Sequence, residues 1–276
     1  MFFPALTWVL LVVSALGCVI GFKKYIWFLS VGYGLSAALL GLCMLALMFI
    51  TGAYQTLGAA TVVAVAIQCV LFGVYGSRLA GFLLGRELKN KEYKKTLDAQ
   101  TGKPMPVPVM VVMWIMVSVL YVMMVSPVWY RIANAKLDIT GSPVLAYIGA
   151  VISAAGICLE AVSDQQKSAA KAKNPHMVAM DGLFKYSRCP NYFGEITFWT
   201  GVFISALNVM RGGQWVVAVI GYISIVYIMI NGAQRLERRQ NKNYGDKKEY
   251  QEYVAKTPIL VPFLPIYHLT KPEVKK

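Results

Sequence analysis

Apolar residues run through this chain in long stretches separated by short polar connections. Seven stretches approach or exceed the ~18 residues that carry a helix across a bilayer. They lie at about Phe3–Phe22, Tyr25–Ile50, Leu57–Leu84, Val107–Tyr130, Pro143–Val162, Tyr192–Met210 and Gln214–Gly232. The third has a polar face of Gln68, Tyr75 and Arg78. The fourth opens on Pro104, Pro106 and Pro108 and holds Pro127 near its end. The sixth is short and is interrupted by Glu195. Beyond the seventh, Arg235–Val254 reads as a separate amphipathic helix bearing Tyr244, Tyr250 and Tyr253. It is stopped by Pro258, Pro262 and Pro265, with the apolar patch Ile259–Phe263 packing back onto the bundle. The pattern predicts an all-α polytopic membrane bundle of about seven transmembrane helices, a single integral membrane domain over residues 1–276. No internal repeat is visible.

Charge adds an orientation. Only 14% of the 276 residues are charged and 57% are hydrophobic, whereas a soluble domain carries about 25% charge. The net charge of +14 would suggest nucleic acid in a soluble protein, but these cations are not arranged for a duplex. Of the 27 Lys and Arg residues, Arg131, Lys136 and Arg211 alone fall in the connections after spans two, four and six. The rest collect in alternate connections, including the charged loop Lys89–Gly102, and in the tail. That alternation places the N-terminus outside and the C-terminus in the cytoplasm. It points to membrane lipids rather than nucleic acid as the partner of the positive charge. Met1-Phe2-Phe3-Pro4 lacks the basic region of a signal peptide, so the first apolar run is expected to be retained. The membrane is either a bacterial inner membrane or endoplasmic reticulum, and the ending Val274-Lys275-Lys276 matches no clear retrieval signal.

Cysteine and histidine narrow the chemistry. Cys18, Cys43, Cys69, Cys158 and Cys189 form no CxxC pair, and His176 and His268 are the only histidines. The expectation is no disulfide framework and no metal site.

Four constellations remain. Glu160, Asp164, Lys167 and Lys171 fall on one helical face at the cytoplasmic end of span five. Their carboxylates suit ribose hydroxyls and their lysines suit phosphate, although an interfacial helix end laced with ion pairs has the same spacing. Second, Pro190 suits a first helical turn, which puts Asn191, Glu195 and Trp199 on one stripe. A carboxylate at this depth is costly unless it lines a polar cavity; an asparagine offers both donor and acceptor to a carboxamide. The alternative is a helix start with a buried structural acid. Third, Gln68, Tyr75 and Arg86 lie nearly in line on span three, with Arg78 nearby. A tyrosine beside an arginine is a candidate proton donor, or an ordinary interfacial residue. Fourth, Arg235, Arg238 and Arg239 with Lys242, Lys247 and Lys248 make a basic surface interleaved with tyrosines, facing either an anionic nucleotide or lipid headgroups.

The segment Gly182-Leu183-Phe184, Tyr186, then Asn191-Tyr192-Phe193-Gly194-Glu195 resembles the signature of the steroid 5-alpha-reductase family, including its microbial branch. The likeness covers Leu159–Phe263, with a weaker similarity at Tyr75-Gly76-Ser77-Arg78. The resemblance implies a seven-helix fold that binds NADPH from the cytoplasm and takes a hydrophobic, lipid-like enone from the bilayer. Hydride would pass to the β-carbon of the conjugated alkene while Tyr75 protonates the carbonyl. It further implies that Asn191 and Glu195 contact the nicotinamide end, with Glu195 assisting catalysis. Asp164 and Glu160 would face the ribose and adenosine, and Lys167, Lys171 and Arg78 the phosphates. Tyr186, Arg188, Arg235, Arg238, Tyr244 and Tyr253 complete the cofactor-binding candidates. Two departures stand out: Cys189 replaces the histidine usual in the microbial branch, and no Asp or Glu precedes Glu87. The second-helix glutamate that steroid reductases pair with the tyrosine is therefore absent. Membrane methyltransferases that use S-adenosylmethionine on isoprenylcysteine or phospholipid share the local Arg-x-Pro-x-Tyr-x-Gly pattern. They remain the alternative.

Overall fold

The structure, a computed structural model, describes residues 3–89 and 105–270. The expected loop Lys89–Gly102, beyond Lys89 itself, and the ending Val274–Lys276 lie outside the described residues. Within them the chain is helical, without strands. The α-helices are α1 Thr7–Cys18, α2 Val31–Ile50, α3 Ala53–Leu57, α4 Ala59–Lys89, α5 Val107–Asn134, α6 Val144–Lys173, α7 Pro190–Ile204, α8 Gly213–Tyr244 and α9 Lys248–Lys256. Five of them, α2, α4, α5, α6 and α8, are long and apolar enough to cross a membrane, which identifies an integral membrane protein.

Several boundaries differ from the sequence reading. The first apolar run is a 12-residue helix followed by a 3-10 turn, Val19–Phe22. The second begins with another 3-10 turn, Tyr25–Leu29, before α2. The sixth ends at Ile204 rather than Met210. Its continuation is broken because Arg131 takes the Ser205 carbonyl through Nε (3.0 Å) and Nη2 (2.7 Å), and Asn134 takes the Val209 carbonyl (2.9 Å). The largest correction concerns the tail. No separate helix spans Arg235–Val254; α8 continues without a break through Gly232 to Tyr244. Residues 233–243 hold no proline and are mostly good helix formers such as Ala, Gln, Leu, Glu and Arg. The break falls at Gly245, whose N–H still bonds the Asn241 carbonyl (2.9 Å), and α9 follows.

The chain divides into two compact units. One comprises residues 1–151 and 201–222. In it α2 and α4 approach backbone to backbone: a Cβ placed on Gly76 would lie 2.2 Å from the Gly34 carbonyl oxygen. Small residues permit such contact in membranes, where packing rather than a hydrophobic drive holds helices together. Polar ties reinforce the unit. Glu87 near the end of α4 pairs with Lys24 (2.7 Å) and accepts from Trp27 Nε1 (2.9 Å). Trp129 donates to Thr7 (2.9 Å), and Asn134 and Gln214 exchange two hydrogen bonds (2.8 and 2.9 Å). Arg131 is only 1% exposed; carbonyls and the Asn208 side chain occupy its guanidinium.

The other unit comprises residues 152–200 and 223–276. Here α6 crosses α7 at a glycine pair: a Cβ on Gly156 would lie 2.6 Å from the Gly194 carbonyl oxygen, and one on Gly194 would lie 2.8 Å from the Glu160 nitrogen. Cys189, Ala233, Leu236, Ile259 and Leu260 form its small apolar core. The patch expected to pack back thus does so, through Ile259 and Leu260, whereas Phe263 is 87% exposed.

Candidate functional site

The α6–α7 crossing assembles the polar residues of the second unit. Pro190 opens α7, as its fixed φ and missing N–H favour. Asn191, Glu195 and Trp199 then follow at one-turn spacing on that helix. Because Gly194 rests on the backbone of Glu160, the acids Glu195 and Glu160 flank a single contact, with Asp164 one turn further along α6. All three are buried, at 7%, 3% and 8% exposure. Each of them, and Lys167, is engaged with neighbouring groups. Asn191 differs: its side-chain Oδ1 is sealed from solvent without a hydrogen-bond partner. A buried acceptor in that state costs about 1–3 kcal/mol unless a ligand donor meets it. Carboxylates and an open amide oxygen in one apolar crossing suit a ligand rich in N–H and O–H groups.

Lys171 stands at the outer end of this stripe. Its Nζ donates to Tyr244 Oη (2.9 Å) and to the Pro175 carbonyl (3.0 Å), and lies 5.1 Å from the Tyr244 ring centre. Lys247 approaches the same ring at 5.5 Å. Tyr244 thus holds two cations against its ring. Arg235 and Arg238 are exposed. Tyr186, 55% exposed, packs against Phe263 at 6.1 Å.

Arg188 has a different setting. Its side chain is 1% exposed, and Nη2 meets Glu237 Oε1 at 2.9 Å and also donates to the Tyr267 carbonyl. Glu237, fully buried, further accepts from Leu269 N (3.0 Å), Thr270 N (3.0 Å) and Thr270 Oγ1 (2.9 Å), with His268 Nδ1 at 3.1 Å. The Arg188 N–H donates to the Pro258 carbonyl (2.9 Å) and Ser187 Oγ to that of Leu260 (2.8 Å). Tyr253 on α9 donates to the Phe184 carbonyl (2.7 Å), and burial raises the pKa of its hydroxyl. These bonds clamp residues 257–270 over the segment that leads into Asn191. Burial also pushes the Cys189 thiol up to about 12, so it stays protonated at neutral pH. The sequence reading passed over the clamp. Its signal was one acid, Glu237, set among arginines on an otherwise basic helix.

In the first unit, Tyr75 is fully buried on α4 and its hydroxyl bonds that of Tyr33 on α2 at 2.8 Å. Gln68 is buried on the same helix. Arg78 is half-buried and engaged with neighbours, and Arg86 lies 5.6 Å from the Phe82 ring centre. Tyr33 was not singled out from sequence. Its only signal is a Tyr-Gly pair, matching Tyr75-Gly76.

A family described as a protein of unknown function, DUF1295, matches residues 33–257, a span that takes in Tyr33, Tyr75, the α6–α7 crossing and Glu237. No curated protein and no solved structure matches the chain.

Proposed function

The chain belongs to the DUF1295 family, and for it we propose the activity of a membrane-bound, NADPH-dependent reductase of the steroid 5-alpha-reductase kind. The substrate class is an apolar, lipid-like conjugated enone. The observation that carries this reading is the partnerless buried Oδ1 of Asn191 beside three buried carboxylates. The residues fit the cofactor. A carboxamide N–H2 is the donor that the Asn191 oxygen lacks. Glu160 and Asp164 can accept from ribose hydroxyls, and Lys167 and Lys171 can carry phosphate charge. Bound NADPH supplies the hydride that adds to the β-carbon of the enone. The chain's own part is to orient the ring through Asn191 and Glu195, exclude water, and deliver a proton from Tyr75 to the ketone oxygen. Polarising that oxygen draws electron density away from the β-carbon.

The same reading takes α1 and α7 as further crossings, for seven in all, with the N-terminus outside and the C-terminus in the cytoplasm. The cation alternation supports it, and the membrane is a bacterial inner membrane or endoplasmic reticulum.

The test is thermal unfolding of detergent-purified protein with NADPH, NADH or S-adenosylmethionine, since a ligand bound only to the folded state raises the midpoint. NADPH is expected to give the largest shift, and Lys171→Glu to abolish it. A shift with S-adenosylmethionine alone overturns the reading in favour of a methyltransferase.

A further inference from the structure

The strap bonded to Arg188 and Glu237 carries an apolar loop, Val261-Pro262-Phe263-Leu264-Pro265-Ile266. Its base is closed by the Ile259 N–H, which donates to the Ile266 carbonyl (2.9 Å), and the Leu264 N–H reaches back to the Val261 carbonyl (3.3 Å). Pro262 and Pro265 stiffen it, because each fixes its own φ. Phe263 has φ 65°, a left-handed backbone that a bulky residue adopts only at a cost. That turn holds the Phe263 ring out at 87% exposure, beside Leu264 and Ile266 at 45% each. Tyr186 extends the patch through its ring contact with Phe263. No charged side chain lies between Thr257 and Tyr267. A contiguous apolar surface of this kind marks an interaction site rather than a wetted loop.

The place of the loop on α8 says what meets it. At its base, Ile259 and Leu260 pack with Ala233 and Leu236, and Ile230 joins them. These α8 positions straddle the end of the apolar run Gln214–Gly232. On that run Ile223 and Tyr227 are exposed, as lipid-facing side chains of a spanning helix are. Just past it Arg235, Arg238 and Arg239 are exposed, where cations meet anionic headgroups. At 1.5 Å per residue, Leu236 lies about 6 Å beyond Gly232 along the axis. Interfacial apolar faces sink about 5–10 Å into the boundary between headgroups and acyl chains. The loop is therefore rooted at the height of that boundary, continuous with the lipid-facing side of α8.

We propose that residues 261–266 dip into the lipid leaflet at the C-terminal end of α8, with phospholipid as their partner and Phe263 as the leading side chain. Entry removes the exposed Phe263, Leu264 and Ile266 surface from water, the main source of affinity for an apolar loop, while the arginines stay among the headgroups. The contact fastens to the membrane surface the same strap that is bonded to Arg188 and Glu237, whatever reaction the protein performs.

The test uses the full chain reconstituted in vesicles of phosphatidylcholine and phosphatidylglycerol. Cys43→Ser and Cys158→Ser remove the native thiols that are not buried. A nitroxide is then attached at Phe263→Cys or, separately, at Leu264→Cys. Lys248→Cys on α9, where the native side chain is 90% exposed, gives the aqueous reference. Power-saturation EPR reads collisions with oxygen, which concentrates in lipid, and with a neutral nickel chelate, which stays in water. The oxygen-to-nickel ratio is expected to be several-fold higher at both loop sites than at the α9 site. A ratio no higher than at the α9 site overturns the proposal. So does shielding of the loop labels from both reagents: with dipolar broadening it means that a second copy covers the loop, and without it that another part of the chain does. The Leu264→Cys label keeps the test decisive if Phe263→Cys fails to fold.

Discussion

The guanidinium of Arg188 and the carboxylate of Glu237 meet at 2.9 Å with both side chains shut off from solvent, at 1% and 0% exposure. Removing one partner of a buried pair leaves the other charge uncompensated, at about 3–5 kcal/mol. Glu237→Ala is therefore expected to destabilise the protein by that amount in chemical denaturation, and to expose residues 257–270 to protease. Glu237→Gln keeps an acceptor for the Leu269 and Thr270 N–H groups, and its loss should be smaller.

The contact between α2 and α4 predicts opposite signs for two neighbouring substitutions. Gly76→Ala drives a methyl into the Gly34 carbonyl and should lower stability by about 1–3 kcal/mol, as overpacking does. A Cβ on Gly73 meets nothing within 4 Å. Gly73→Ala should thus be neutral or stabilising by up to about 1 kcal/mol, from helix propensity alone. Melting curves of the two variants decide it; equal losses would contradict the close approach.

Asn191→Leu separates ligand binding from folding. It removes a buried oxygen that has no partner, so unliganded stability should hold or rise slightly. The NADPH-induced rise in midpoint should disappear. A variant that unfolds without ligand, or retains the full NADPH shift, would remove Asn191 from the site.

Cys189 gives a pH signature. Its ordinary pKa of 9.0 is pushed up to about 12 by burial, so the folded protein keeps the proton where the unfolded chain loses it. The corresponding stability is fully present below about pH 9 and declines as pH rises from there toward 12. Relative to Cys189→Ala, wild type should lose roughly 1–1.5 kcal/mol by pH 10. Maleimide labelling of this thiol at pH 8 should be slow in the folded protein and fast in denaturant.

The positions of the long helices were legible because runs such as Val31–Ile50 and Val144–Val162 are apolar beyond what a soluble helix needs. The Glu160–Lys171 spacing correctly predicted one continuous helix, and Pro190 correctly marked a helix start. The end of α7 was not legible, because it is decided by Arg131, 74 positions away from Ser205 in sequence. The tail was misread for a related reason: charge beginning at Arg235 looks like a new element, yet charge does not break a helix and Gly245 does. Glu237 is a lone acid among arginines, but nothing in the sequence tells what it meets, because its partners lie 49 residues upstream and 33 downstream. Tyr33 was invisible for want of register: a tyrosine in an apolar run gains meaning only once Gly34 and Gly76 fix which turns of α2 and α4 face each other. The sequence lacks a second-helix carboxylate; on α2, Tyr33 is the polar group that meets Tyr75.

At 1.5 Å per residue, the 30 residues of α6 make a rod about 45 Å long, against about 30 Å of hydrocarbon. The apolar part, residues 144–162, accounts for about 28 Å of that length, so the charged turns beyond it stand at the edge of the hydrocarbon. How far Glu160 and Asp164 ride above or below the acyl chains is thus set by the host bilayer as well as by the protein. Reconstitution in lipids of graded chain length should move these carboxylates through the headgroup layer, so that lipid composition acts as a tuning variable.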